Sequence, residues 1–155
     1  MKRFILMGAL ALLCVAAAAC SLPRTPPGAQ EGLPACAQVV AAVLESQAFE
    51  EMTALSENQI HEALSVNDGL LADGAMSVDA SMEACVAVLC AVDARSAGTA
   101  FAALSGYRDA LPASGKGVGR EVILERRDLY SVLIVCGDAR AARAALAGVG
   151  WPSAP

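Results

Sequence analysis

A chain of 155 residues with a formal net charge of −5 suits one domain with a modest core. An acidic surface of this kind repels phosphate backbones, which argues against a nucleic-acid partner, and it offers no basic patch to anionic lipid. Only 4% of the residues are aromatic although 56% are apolar, so the core has to be built from Val, Leu, Ile and Ala.

The first residues carry an address. Lys2 and Arg3 form a short positive region, and Phe4 to Ala19 run without a charge and end in small side chains, which is the anatomy of a secretory signal. The run falls short of the roughly 20 apolar residues of a membrane-spanning helix, and Pro23 follows closely. Ala17-Ala18-Ala19-Cys20 reads as a lipobox, in which small residues admit the lipoprotein signal peptidase and the Cys20 thiol receives a diacylglyceryl group. Leu is more usual where Ala17 stands. Cys14 is a poorer candidate because Leu13 before it is too large. Ordinary Ala-x-Ala cleavage at the same place, leaving an unmodified Cys20, is the plainer alternative. Two acyl chains anchor a protein stably where one is marginal, since each buried CH₂ contributes about 0.8 kcal/mol. The processed chain then starts at Cys20 on the extracytoplasmic face of a cell membrane. Ser21 does not retain a lipoprotein at an inner membrane, so an outer-membrane fate is open in a cell that has two. Without Lys2 and Arg3 the chain keeps 9 basic residues against 16 acidic, a formal charge of −7.

Residues 1–19 are thus read as signal peptide, 20–33 as a lipid-anchored tether and 34–150 as a single α+β domain. In SLPRTPPGAQEGL (21–33), three prolines and two glycines oppose both helix and paired strand. Residues 34–52 are expected to be helical, with Pro34 in the first turn and Val39, Val40, Val43, Leu44 and Ala48 on one face. A short helix over 57–64 follows, where Ser56 and Gln59 have capping-box spacing before Ile60, Ala63 and Leu64. Asn67-Asp68-Gly69 and Asp73-Gly74 read as turns. CVAVLCAV (85–92) is a continuous apolar run, as expected of a strand covered on both faces. Asp93 is a natural cap for a helix over 94–111, which Pro112 stops. After the loop ASGKGVG, two strands at 120–126 and 129–136, split by a polar pair, form a hairpin. Asp138 caps a last helix at 139–147. The expected architecture is a small, mainly antiparallel sheet of about three strands packed with four helices. Cys90-Ala91-Val92-Asp93-Ala94-Arg95 and Cys136-Gly137-Asp138-Ala139-Arg140 echo one another as two strand-to-helix junctions, which is too little to make a repeat.

The ordering resembles a family of small bacterial lipoproteins defined only as a domain of unknown function. The likeness rests on the lipobox and tether, on CVAVLCAVD (85–93), on the 94–111 helix, and on Leu129-Tyr130-Ser131-Val132-Leu133-Ile134-Val135 with Asp138 after it. It covers about residues 39–147 and consists of apolar patterning more than chemistry. Family members tend to carry charges around the first strand where this chain has Cys85 and Cys90. The resemblance implies a fold and an anchor, and no catalytic residue.

Four cysteines lie in the exported part: Cys36, Cys85, Cys90 and Cys136. An even number outside the cytoplasm suggests two disulfides. Five residues of strand place Cys85 and Cys90 about 16 Å apart on opposite faces, too far for a bond. If the last strand lies antiparallel beside the first, Cys85–Cys136 with Cys36–Cys90 is favoured over Cys36–Cys85 with Cys90–Cys136. Four buried free thiols acting as small hydrophobes are the alternative. The missing C-x-x-C argues against both a zinc site and thioredoxin-type redox chemistry.

His61, the only histidine, reads as a solvated residue on a polar helix, because no G-x-S-x-G elbow accompanies it. Ser114–Arg120 lacks phosphate-loop spacing. Asp68, Asp73 and Asp79 do not follow calcium-loop spacing and read as turn and cap residues. Glu121 and Glu125, on one face of the hairpin with Ile123 and Arg127, read as the wet side of an antiparallel pair, with an exposed strip for a partner as the alternative. With no catalytic, cofactor or metal residues to nominate, the expected role is a non-catalytic interaction or ligand-binding module at the cell envelope. Its partners would be membrane lipid, through acylated Cys20, and an envelope protein. A cell-envelope enzyme or thiol-active protein using His61 or a free cysteine is the alternative.

Overall fold

The computed structural model of the chain describes residues 34–46, 49, 51–111 and 120–151. The expected signal peptide and tether with Cys20, as well as Ala48, Pro112 and the whole 113–119 loop, lie outside these residues. The domain is α+β, with four helices and a five-stranded antiparallel sheet. In chain order the elements are α1 (Cys36–Glu45), β1 (Met52–Ala54), α2 (Glu57–Leu64), β2 (Leu71–Asp79), β3 (Cys85–Ala91), α3 (Ala94–Ala110), β4 (Glu121–Arg127), β5 (Tyr130–Cys136) and α4 (Ala139–Gly148). The strands run in the order β1-β2-β3-β5-β4.

The sheet is therefore larger than the three strands expected, and both additions come from the first half. Asp73-Gly74, read as a turn, lies inside β2, where the register shifts between Leu71 and Asp73. A glycine in a strand often marks such an irregularity or a close approach. A Cβ on Gly74 would meet Leu89 Cδ2 at 3.4 Å and Leu71 Cδ1 at 3.5 Å. The first helix is shorter than expected. Pro34 precedes it, Ala35 is its N-cap, and it closes at Ser46, whose hydroxyl donates to the Val43 carbonyl at 2.8 Å. Phe49 and Met52 still join the core, but as the approach to β1 and its first residue.

The central pair explains why β3 and β5 are apolar throughout. Every residue of both strands is buried, and the two lie antiparallel with Cys85 opposite Val135 and Cys90 opposite Tyr130. Alternation then feeds two cores. One face (Val86, Val88, Cys90, Tyr130, Val132, Ile134) packs under α1 and α4 through Cys36, Val39, Val43, Ala142 and Leu146. The other (Cys85, Ala87, Leu89, Leu133, Val135) packs under α2 and α3 through Ile60, Leu64, Ala100 and Leu104. Each fully buried Val or Leu contributes about 1.5–3 kcal/mol of transfer free energy, so this double-sided centre is the main store of stability.

The expected caps are in place. Asp93 accepts from the Ser96 N–H at 2.7 Å and Asp138 from the Ala141 N–H at 3.0 Å. Gln59 Oε1 accepts both the backbone N–H and the hydroxyl of Ser56, each at 2.9 Å. The β4–β5 hairpin turns at Asp128, whose φ of 49° lies in the left-handed region that Asp tolerates better than most side chains. β4 is an outer strand. The face of Glu121 and Glu125 is only partly the wet side of the hairpin: Glu121 is exposed but accepts from Ala139 N–H at the start of α4, and Glu125, with its side chain 20% exposed, pairs with Arg143 of that helix.

Candidate functional site

Three polar groupings stand out, and each is built by strand register or helix packing. The first is a cleft of about 160 Å³ lined by Glu57, Ile60 and His61 of α2 and by Leu71, Ala72, Asp73 and Gly74 of β2. It forms because β1 is short. It pairs only with Ser77, Val78 and Asp79, so the first half of β2 has no strand on its outer side. His61 is not the solvated residue expected. Its side chain is 13% exposed, and Nδ1 lies 2.9 Å from Oδ1 of the fully exposed Asp68, in the turn after α2. Among the described residues that line the cleft there is no hydroxyl or thiol.

The second grouping is a row across the face beneath α1. Asp73, Cys90, Tyr130 and Arg127 are successive cross-strand partners on β2, β3, β5 and β4, and opposed residues of antiparallel strands share a face. Above the row, Asp73 Oδ2 accepts the Cys36 N–H at 2.8 Å, which satisfies a donor at the N-terminus of α1 and places a carboxylate where the helix dipole favours one. Burial first, then the charge of Asp73 and its bond to the thiol, then Cys90, push Cys36 far above the ordinary thiol range. Burial also raises Cys90, with Asp73 adding to the rise and the bond to Tyr130 opposing it. Tyr130 is raised in turn, by burial foremost, and its ring meets Trp151 edge-on at 6.0 Å between centroids.

The third grouping ties the β2–β3 hairpin. Asp79 is only 6% exposed and accepts from Ser81 Oγ at 2.5 Å, from Glu83 N–H at 2.7 Å and from Ala84 N–H at 2.9 Å. Burial alone would raise its carboxyl, but these bonds and the Arg120 guanidinium hold it below the usual carboxylate range. Arg120 pairs with Glu83 at 3.0 Å.

Asp68, Asp73 and Asp79 thus serve three separate places, and no group of three or more His, Cys, Asp or Glu among the described residues could hold a metal ion. All four described cysteines are buried free thiols. The favoured Cys85–Cys136 bond is incompatible with this register. Cys136 lies across from position 84, and its side chain enters the core under α1 and α4 while Cys85 enters the opposite one. Burial pushes the Cys85 thiol up to about 12. Sequence reasoning missed the role of Asp73. The signal was available in its place before Gly74, but that pair is as good a turn as it is a bulge. Among the described residues no helix is long and apolar enough to cross a membrane. Comparison of the chain with family models, with curated proteins and with solved structures yields no match.

Proposed function

We propose that the protein is a lipid-anchored domain on the extracytoplasmic face of a bacterial membrane, acting as a non-catalytic interaction module. The anchor is Cys20 at the end of Ala17-Ala18-Ala19, and the proline-rich stretch after it holds the domain away from the bilayer. One observation in the folded part carries the non-catalytic half of the reading. The carboxylates that could have served chemistry close onto the protein itself: Asp68 onto His61, Asp73 onto α1, Asp79 onto its own hairpin, and Glu121 and Glu125 onto α4. A feature open to a partner is the cleft along the open half of β2, lined by the apolar Ile60 and Leu71, by the acidic Glu57, and by Asp73, which also holds the start of α1.

The test is Cys20→Ala in the full chain, expressed in a bacterium with a fatty-acid probe. The wild-type chain is expected to take up label and to sediment with membranes, and the variant to do neither. Label on the variant, or a wild-type chain with a bare terminus in intact-mass spectrometry, refutes the anchor.

A further inference from the structure

We infer that Cys36 and Cys90, free thiols in the reduced domain described above, form its one disulfide when the chain is oxidised, stapling the first residue of α1 to the end of β3, while Cys85 and Cys136 remain thiols. The inference goes beyond the anchored-module reading and depends on it only for the oxidising compartment.

Register eliminates the other pairings. Cys85 enters the core beneath α2 and α3, whereas Cys36, Cys90 and Cys136 enter the core beneath α1 and α4, so no other described cysteine lies on the Cys85 side of the sheet. Cys90 and Cys136 share a face, but Cys90 lies across from Tyr130, and six residues of β5 from there to Cys136 span about 20 Å. A disulfide needs Cα atoms within about 7 Å. Cys36 stands at the Cys90 end. Its N–H is held at 2.8 Å by Asp73, and Asp73 is the direct cross-strand partner of Cys90, a spacing of about 4.5–5.5 Å between Cα atoms. One carboxylate and one interstrand step therefore separate the two cysteines, and the remaining pair, Cys36 with Cys136, would have to reach the far end of the strand.

The same surroundings decide when the bond forms. Thiolate is the attacking species, and in the folded domain Cys36 and Cys90 are both held protonated by burial and by the Asp73 charge. Oxidation thus precedes closure of the core, by exchange with a dithiol oxidase or another disulfide outside the cytoplasm. One cysteine thiolate attacks the donor disulfide and releases one donor thiolate. The second cysteine thiolate then displaces the donor from the mixed disulfide. Two protons leave the chain, and two electrons reduce the donor disulfide to its dithiol. Once the domain closes, the bond is as hidden as the thiols were.

The experiment refolds the full chain carrying Cys14→Ala and Cys20→Ala from denaturant in a glutathione redox buffer, then blocks free thiols and maps the linkage by mass spectrometry. This readout is independent of the anchor, which the Cys20 labelling experiment addresses. The expected result is a Cys36–Cys90 link with Cys85 and Cys136 alkylated only after unfolding, and a lower unfolding midpoint on adding dithiothreitol. A further chain with Cys85→Ala and Cys136→Ala should keep the link and the midpoint shift, whereas adding Cys36→Ala should abolish both. Four free thiols in the refolded chain, or any other connectivity, overturns the inference.

Discussion

Removing the Asp79 carboxylate gives the sharpest test of how the hairpin between the two central strands of the first half is closed. Asp79→Ala strips the acceptor from two backbone N–H groups, those of Glu83 and Ala84, and from the Ser81 hydroxyl. Ser81 is exposed, so its hydroxyl turns to water at little cost. Glu83 and Ala84 are half-buried, which limits rehydration of their N–H groups. A hydrogen bond to a charged group is worth about 1.5–3 kcal/mol; taking the low end for two such bonds gives a loss of about 3 kcal/mol. For a domain slightly above 100 residues that lowers Tm by roughly 10 °C. Asp79→Asn keeps one acceptor and should lose less than half as much. The assay is thermal and urea unfolding followed by circular dichroism at pH 7. The sign of the pH dependence follows from the lowered carboxyl: its contribution is full above the ordinary value of 3.8 and is lost as pH falls below it. The gap between wild type and Asp79→Asn should therefore narrow between pH 5 and acid. An Asp79→Ala chain that unfolds within 2 °C of wild type, or a gap that widens in acid, refutes the reasoning.

Two further outcomes separate the cores from the surface. Leu104 of α3 is fully buried against the sheet, and Leu104→Ala should cost about 3 kcal/mol in a urea titration; a cost below 1 kcal/mol would mean that α3 does not pack as described. Glu121→Ala removes the acceptor at the start of α4 and should cost about 1 kcal/mol. Val122→Ala, on the next residue and 47% exposed, should stay within about 0.5 kcal/mol. Equal effects at the two positions would return Glu121 to the wet side of the hairpin.

What could be read from the residues alone follows from how strongly local chemistry decides. β3 and β5 were legible because a buried central strand has no polar face, so CVAVLCA and YSVLIVC are continuous. The helices after them were legible because Asp93 and Asp138 mark their starts. β2 was not, because Asp73-Gly74 satisfies the rules of a turn, and the strand survives there only through a register shift and the bond from Asp73 to α1. The three residues of β1 are too short for any period to declare itself. At the site, a lone His beside Glu62 looks solvated in sequence, and only the fold of β2 against α2 supplies the wall that covers it. Glu121 and Glu125 show the same limit: alternation gives their face, but not the helix that returns to cover it.

The outer strand β4 ends the sheet with Glu121, Glu125, Arg126 and Arg127 along its seven residues. A bare edge is a template for another chain, and alternating charges are a common way to deny it. On the proposed membrane anchor this would matter more than in free solution, because confinement to two dimensions raises the concentration at which neighbours meet. To pair edge to edge, crowded copies would have to strip water from these carboxylates and guanidinium groups, which discourages the lateral sheet fusion that leads toward fibrils along β4.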